Sequence, residues 1–330
     1  MSQKNIIITI VIVALLILLI GILVFKDRNK DLNNTTGALK KSSDFTKADG
    51  SQIIGGKIYY TTYKDGVTEI MAYDLSQKEN KVVYSDADED YKLTTFGSFA
   101  YLSQEYIVLQ KKDNERQLVK IKLSDVNDKK VLSENFSPLE SLATSPDGQV
   151  IFYSNWLTKD GKKKYYLYQV TRENKNLRQV FVSEDPIKNI VSNKNGSEVA
   201  FLQANEKAII INLDTLKEKQ IYHSSGKIYS LSWHENGNLV FSQSPNEKFV
   251  SGSIMSCDEN GGNVKKILET KNIFPDSPVV SPDFLATSYG LKSFTESYNP
   301  DIAGDINFTL IGDEVVNIIG SGLTIIAWVK

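Results

Sequence analysis

The sequence predicts an all-β protein: a six-bladed β-propeller closed by its carboxyl-terminal strand, behind one amino-terminal transmembrane helix. Three observations predict it. Residues 141–155 read SLATSPDGQVIFYSN, a short apolar strand, a turn and a second strand rich in β-branched and aromatic residues, and weaker copies recur downstream. The copies repeat at about 40 to 49 residues, a propeller-blade period. Residues 6–25 read IIITIVIVALLILLIGILVF, an unbroken apolar run.

In chain order, residues 1–5 form a short polar tail and residues 6–25 are long enough, at roughly 20 residues, to cross about 30 Å of hydrocarbon as a helix. The run passes from Phe25 into Lys26 with no small-residue cleavage pattern, so it reads as an anchor and not as a removed signal peptide. Lys26, Arg28 and Lys30 outweigh Lys4, which by charge alone keeps the large domain in the cytoplasm. Long domains translocate largely regardless of charge, and a short amino-terminal tail favours the inside, so the expectation is an extracytoplasmic domain on a single-pass anchor. Residues 26–50 are polar and aperiodic, a flexible tether.

From 51 to 330 the chain alternates short β-type runs with Gly, Asp, Asn and Lys turns, and no stretch keeps a helical period over three turns. Six copies of one strand are expected at 58–60, 106–109, 150–153, 199–202, 239–242 and 285–288. A third strand follows each (69–75, 117–123, 165–170, 208–213, 253–257, 306–311), and then a fourth (81–84, 130–132, 179–182, 219–222, 264–268, 315–319). The first unit has only Gly55 and Gly56 ahead of Lys57, so it lacks an inner strand. Residues 323–328, ending in Ile-Ile-Ala-Trp, resemble the inner strand Ser230-Leu231-Ser232-Trp233 and are left over. Pairing the spare strand with the first unit closes a ring and removes its exposed edge; a stack of β-sandwiches would not predict that complementarity.

The turn Ser145-Pro146-Asp147-Gly148 followed by Val-Ile-Phe-Tyr-Ser, then Tyr-Leu-Tyr-Gln-Val, resembles the repeat of TolB-type six-bladed propellers. That repeat is shared with the propeller domains of tricorn-like and prolyl-oligopeptidase-like peptidases. The resemblance spans about residues 53 to 330 and departs at 193–196 and 234–237, which lack Pro, and at 103–105, which lack Gly. It implies the fold, and a protein that binds others or gates a separate catalytic domain, of which none is present here.

Composition narrows the chemistry. Residues 1–50 carry seven Lys/Arg and four Asp/Glu, leaving 31 against 36 in the rest, a mildly acidic −5 that makes nucleic acid an unsuitable partner. Cys257 is the one cysteine, so neither an intrachain disulfide nor a thiolate zinc cluster forms. His223 and His234 are the only histidines, and both are expected at the surface. No nucleophile elbow, phosphate loop or His-Glu-x-x-His motif is present, and no cofactor or metal is expected.

The candidate binding residues are Asp86, Asp88, Asp90, Trp156, Phe294 and Tyr298. The alternating carboxylates resemble a calcium loop, yet Tyr91 stands where its Gly belongs and Gly97 where its Glu belongs, so a solvated acidic loop is the stronger reading. Trp156 is expected just after a strand, on a rim, where an aromatic anchors a partner or packs between blades. Trp233 and Trp328, at equivalent positions, read as filler. Phe294 and Tyr298 lie in the long connection 292–305, on the face expected to carry 86–90, Trp156 and 184–185. The function expected is a non-catalytic module binding a protein, peptide or glycan there. The alternatives are a hydrolase or lyase working through carboxylates at a channel mouth, and a structural spacer of the cell envelope.

Overall fold

The computed structural model describes residues 55–329, except the segments 65–66, 86–91, 94–99, 102–105, 113–115, 123–124, 134–138, 146–148, 172–176, 224–225, 235, 246–250, 272–273, 281–285, 293–303, 311–315 and 323. The expected anchor and tether lie outside these residues. Among the described residues no helix is long and apolar enough to cross a membrane.

Every regular element described is a strand, and the strands form antiparallel sheets. The first sheet begins with β1 (Lys57–Lys64), β2 (Val67–Asp74) and β3 (Glu79–Ser85). The second holds β4 (Lys92–Leu93), β5 (Ala100–Tyr101), β6 (Tyr106–Lys112), β7 (Arg116–Lys122) and β8 (Asp125–Ser133). In the third, β9 (Leu139–Thr144), β10 (Val150–Lys159), β11 (Lys162–Thr171) and β12 (Arg178–Ser183) run in sequence order. The fourth is β13 (Ile187–Ser192), β14 (Glu198–Gln203), β15 (Lys207–Asn212) and β16 (Glu218–His223). The fifth is β17 (Lys227–Trp233), β18 (Leu239–Ser244), β19 (Ser251–Cys257) and β20 (Lys265–Lys271). The sixth is β21 (Phe274–Val280), β22 (Ala286–Lys292), β23 (Gly304–Leu310) and β24 (Val316–Gly322). The last strand, β25 (Thr324–Val329), pairs with β1, and Trp328 stands opposite Ile58.

Each strand expected from the repeat is present. The second sheet differs at its inner position, where β4 and β5, two residues each, both pair along β6.

The sheets stack face to face. One apolar cluster joins the third and fourth sheets through Phe152, Leu167, Ile190, Phe201 and Ile211; another joins the fourth and fifth through Ala200, Leu202, Ile210, Ile228 and Phe241. β14 and β15 are therefore covered on both faces, which is why Val-Ala-Phe-Leu and Ala-Ile-Ile-Ile are continuous apolar runs without alternation.

One irregularity recurs in every sheet. The outermost strand carries one extra residue opposite its neighbour, at Val83, Leu132, Val180, Ile221, Ile267 and Ile319. Such bulges increase local twist. Inner strands bulge too, and the freed amides find partners in the preceding sheet: Ile190 N–H donates to Ser141 Oγ (3.0 Å) and Ser277 N–H to Ser230 Oγ (3.0 Å). These pairs are 49 and 47 residues apart, one repeat. The Ser that opens SLAT and SLSW is thus a clasp between sheets.

In the third, fourth and fifth sheets the residue after the inner strand anchors the following turn. Ser145 Oγ accepts from Val150 N–H (2.9 Å), Asn193 Oδ1 from Ser197 and Glu198 N–H (3.0 and 3.2 Å), and His234 Nδ1 from Asn236 N–H (3.1 Å). The side-chain acceptor is common to the turn that contains Pro146 and the two that lack Pro. His234 is consequently buried, contrary to its expected surface position. Trp233 fills the core between sheets, its indole N–H donating to Gly237 O (3.2 Å).

Candidate functional site

Because strands alternate in direction, each sheet has two ends. Turns joining first to second and third to fourth strands share one end with Gly56, where the preceding chain joins the domain, and we call this end proximal. Turns joining second to third strands share the distal end with the crossovers between sheets. The segments containing Asp86, Asp88 and Asp90 (86–91) and Phe294 and Tyr298 (293–303) connect at the distal end by the direction of β3 and β22. Their side chains lie outside the described residues.

Trp156 is placed differently from the expectation. β10 continues to Lys159, so Trp156 sits within a strand, opposite Tyr165, and not after one. The strand runs on past Tyr153 because the hairpin turns only at Asp160-Gly161, with Asp160 and Gly161 at φ of 53° and 73°. The Trp156 ring packs against the core between the third and fourth sheets, and Lys163 Nζ covers it 3.8 Å from the centroid. This cation–π lid leaves Trp156 half-buried and spoken for, so the packing reading holds over the anchoring one.

What the hairpin shows to solvent is other residues. Leu157 is 46% exposed, and Lys162 and Lys163 flank the tip. On the opposite face from Trp156, Tyr153 and Tyr168 stack at 5.4 Å between centroids and Tyr166 stacks on Tyr168 at 5.9 Å. Burial first, then the Tyr168 ring hydroxyl, pushes Tyr153 up to about 12; burial, then Tyr166, raises Tyr168. Both hydroxyls are neutral hydrogen-bonding groups at physiological pH. Asn155, on the same face and buried, has an Oδ1 with no hydrogen-bond partner.

The hairpin stands beside a braced platform. Ser183 Oγ accepts from Gln203 Nε2 (2.8 Å) and from Asp185 N–H (2.8 Å), tying the third sheet to the fourth. Asn205, at φ 57°, accepts from Ile228 N–H (2.7 Å), and Lys227 Nζ meets Glu206 Oε1 at 2.5 Å, tying the fourth to the fifth. Pre-set distal turns of this kind hold a binding surface without ordering cost on association.

Sequence reasoning missed Leu157, Tyr166 and Tyr168. The signal was the Tyr165-Tyr166-Leu167-Tyr168 run facing a Lys-rich turn, which reads equally as blade core. Among the described residues no three His, Cys, Asp or Glu side chains stand close enough to hold a metal ion. The one buried carboxylate among them is Asp276, whose Oδ1 accepts from Ser277 N–H (2.8 Å).

No known protein family and no curated relative matches the sequence. Solved structures do. TolB from Acinetobacter baumannii superimposes with a TM-score of 0.61 at 15% identity over 83% of this chain and 66% of that one, so this chain spans under two thirds of its length. A putative TolB from Agrobacterium tumefaciens gives 0.62 at 14% over 83% and 93%. An oligogalacturonate lyase solved with manganese gives 0.56 at 11% over 81% and 74%. At these identities the likeness is one of fold, and the chain is an all-β protein of antiparallel sheets resembling the TolB propellers.

Proposed function

We propose that the six sheets form a six-bladed propeller, closed by β25 on β1 and held to a membrane by residues 6–25, that binds a protein, peptide or glycan at its distal end without catalysis. The observation that carries this reading is the β10–β11 hairpin: ten residues per strand, an exposed Leu157, stacked tyrosines and a buried Asn155 with a spare acceptor. Aromatic faces with nearby polar groups suit sugar rings and peptide side chains alike. The acidic run Asp86, Asp88 and Asp90 and the aromatics Phe294 and Tyr298 would widen the same end. An extracytoplasmic location goes with this proposal, and protease shaving of intact cells tests it.

A lyase or hydrolase reading draws on the manganese-bound lyase among the fold neighbours, yet the converging carboxylates it needs have no counterpart around Asp276 among the described residues. The test is a photo-crosslinking residue at Leu157 in the full chain in native membranes. A discrete adduct, absent when the crosslinker replaces Val82 on the outer strand β3, supports distal binding. Equal, diffuse labelling from both positions overturns it.

A further inference from the structure

The proximal end carries a pattern of its own. In three successive sheets the turn from third to fourth strand leaves one aliphatic side chain in solvent: Leu177 at 59%, Leu216 at 42% and Val264 at 44% exposed. An exposed cation follows each directly, Arg178, Lys217 and Lys265. The three sheets are neighbours through shared cores, so the three steps form an arc along one end. Leu216 is also held at φ 53°, where glycine is free of strain and a branched side chain is not. An exposed leucine in that conformation serves neither the core nor the turn.

The chain joins the domain at this same end. Gly56 O accepts from Leu75 N–H (3.1 Å), within the β2–β3 turn, and Lys57 pairs with Val329. The sequence before it holds the polar stretch 26–50 and the apolar run 6–25.

We propose that the proximal end rests on an anionic lipid surface, with Leu177, Leu216 and Val264 entering the headgroup layer and Arg178, Lys217 and Lys265 meeting lipid phosphates. The inference rests on the reading of residues 6–25 as an anchor. Aliphatic side chains flanked by cations are the composition that lies at a membrane interface. Asp214, Glu218, Asp258 and Glu259 on the same turns weaken the attraction, so the contact is too feeble to recruit a free domain. Tethering supplies the rest: a flexible segment of about 25 residues has a root-mean-square span of roughly 28 Å and holds the end at millimolar effective concentration near the bilayer. The distal end is then turned outward.

The test uses the full chain in vesicles, with Leu216→Cys carrying an environment-sensitive fluorophore; Cys257 is buried and stays unlabelled. In phosphatidylcholine vesicles containing phosphatidylglycerol, headgroup-level nitroxide lipids should quench this label at least about twofold more than one on Leu157→Cys, and high salt should reduce the difference. Lys217→Glu combined with Lys265→Glu should also reduce it. Equal quenching at both positions, in chains that resist alkaline extraction, overturns the docking alone. Release of the chain by alkaline extraction overturns the anchor and the docking together.

Discussion

At the scale of single residues, several side chains are read only through their backbone or their neighbours. Leu216 at φ 53° is one, and Leu216→Gly should raise stability by about 1 kcal/mol, since relief from a left-handed conformation outweighs the added chain entropy; a thermal melt about 2 °C higher checks it. Asp258 is another. Its carboxylate accepts from Gly262 N–H (2.8 Å), Asn263 Nδ2 (2.8 Å) and Asn260 N–H (2.9 Å), and the Gly262 contact first among these holds it below the usual carboxylate range. A lowered folded value means the stabilisation is complete above the unfolded value and is lost as pH falls through the folded one. Asp258→Asn should therefore flatten the acid limb of the stability curve below about pH 4 while leaving its shape near neutrality unchanged. Burial, then Asp258, pushes the Cys257 thiol up to about 11, so alkylation by iodoacetamide at neutral pH should be slow until the domain unfolds.

At the scale of elements, the clasping serines explain why the repeat begins where it does. Ser141 and Ile190 are both buried, so Ser141→Ala leaves a bulge amide without a partner at a cost of about 1–3 kcal/mol, readable by chemical denaturation. Ser230→Ala should cost a similar amount: Ser277 N–H also reaches Asp276 Oδ1, but the buried Ser242 hydroxyl loses its Ser230 partner. Ser141, Ser145 and the turn were visible in the sequence as a motif, and their roles were not. A hydroxyl that bonds 49 residues away leaves no local trace. The bulges were equally hidden, because a bulged residue keeps the composition of its strand: Val180 and Ile221 read as ordinary strand members. Trp156 was misplaced for the same reason, since nothing between Tyr153 and Lys159 announces whether a strand stops early or runs on to the next Gly.

At the scale of the whole molecule, the first and last described strands, β1 and β25, meet in one sheet. Removing residues 324–330 strips β1 of its partner and exposes an edge, so the truncated chain should lose cooperative unfolding and aggregate, as size-exclusion chromatography would report. The neighbouring sheets fit closely around this seam. A Cβ on Gly320 of β24 would collide with the Tyr60 hydroxyl of β1, itself bonded to Asn80 Oδ1 at 2.8 Å. Gly320→Ala should destabilise by about 1–3 kcal/mol through overpacking alone.

The sequence by itself determined the all-β class and the pairing of Trp328 with Ile58, because strand periodicity and a missing inner strand are properties of residue order. Tertiary structure decided which side chains reach solvent. Trp156 packs half-buried against the core, His234 became a buried turn anchor, and Leu157 and Leu216 became surface. Burial depends on how far each strand runs and on which neighbouring sheet covers it, and both are fixed by contacts between residues a full repeat apart.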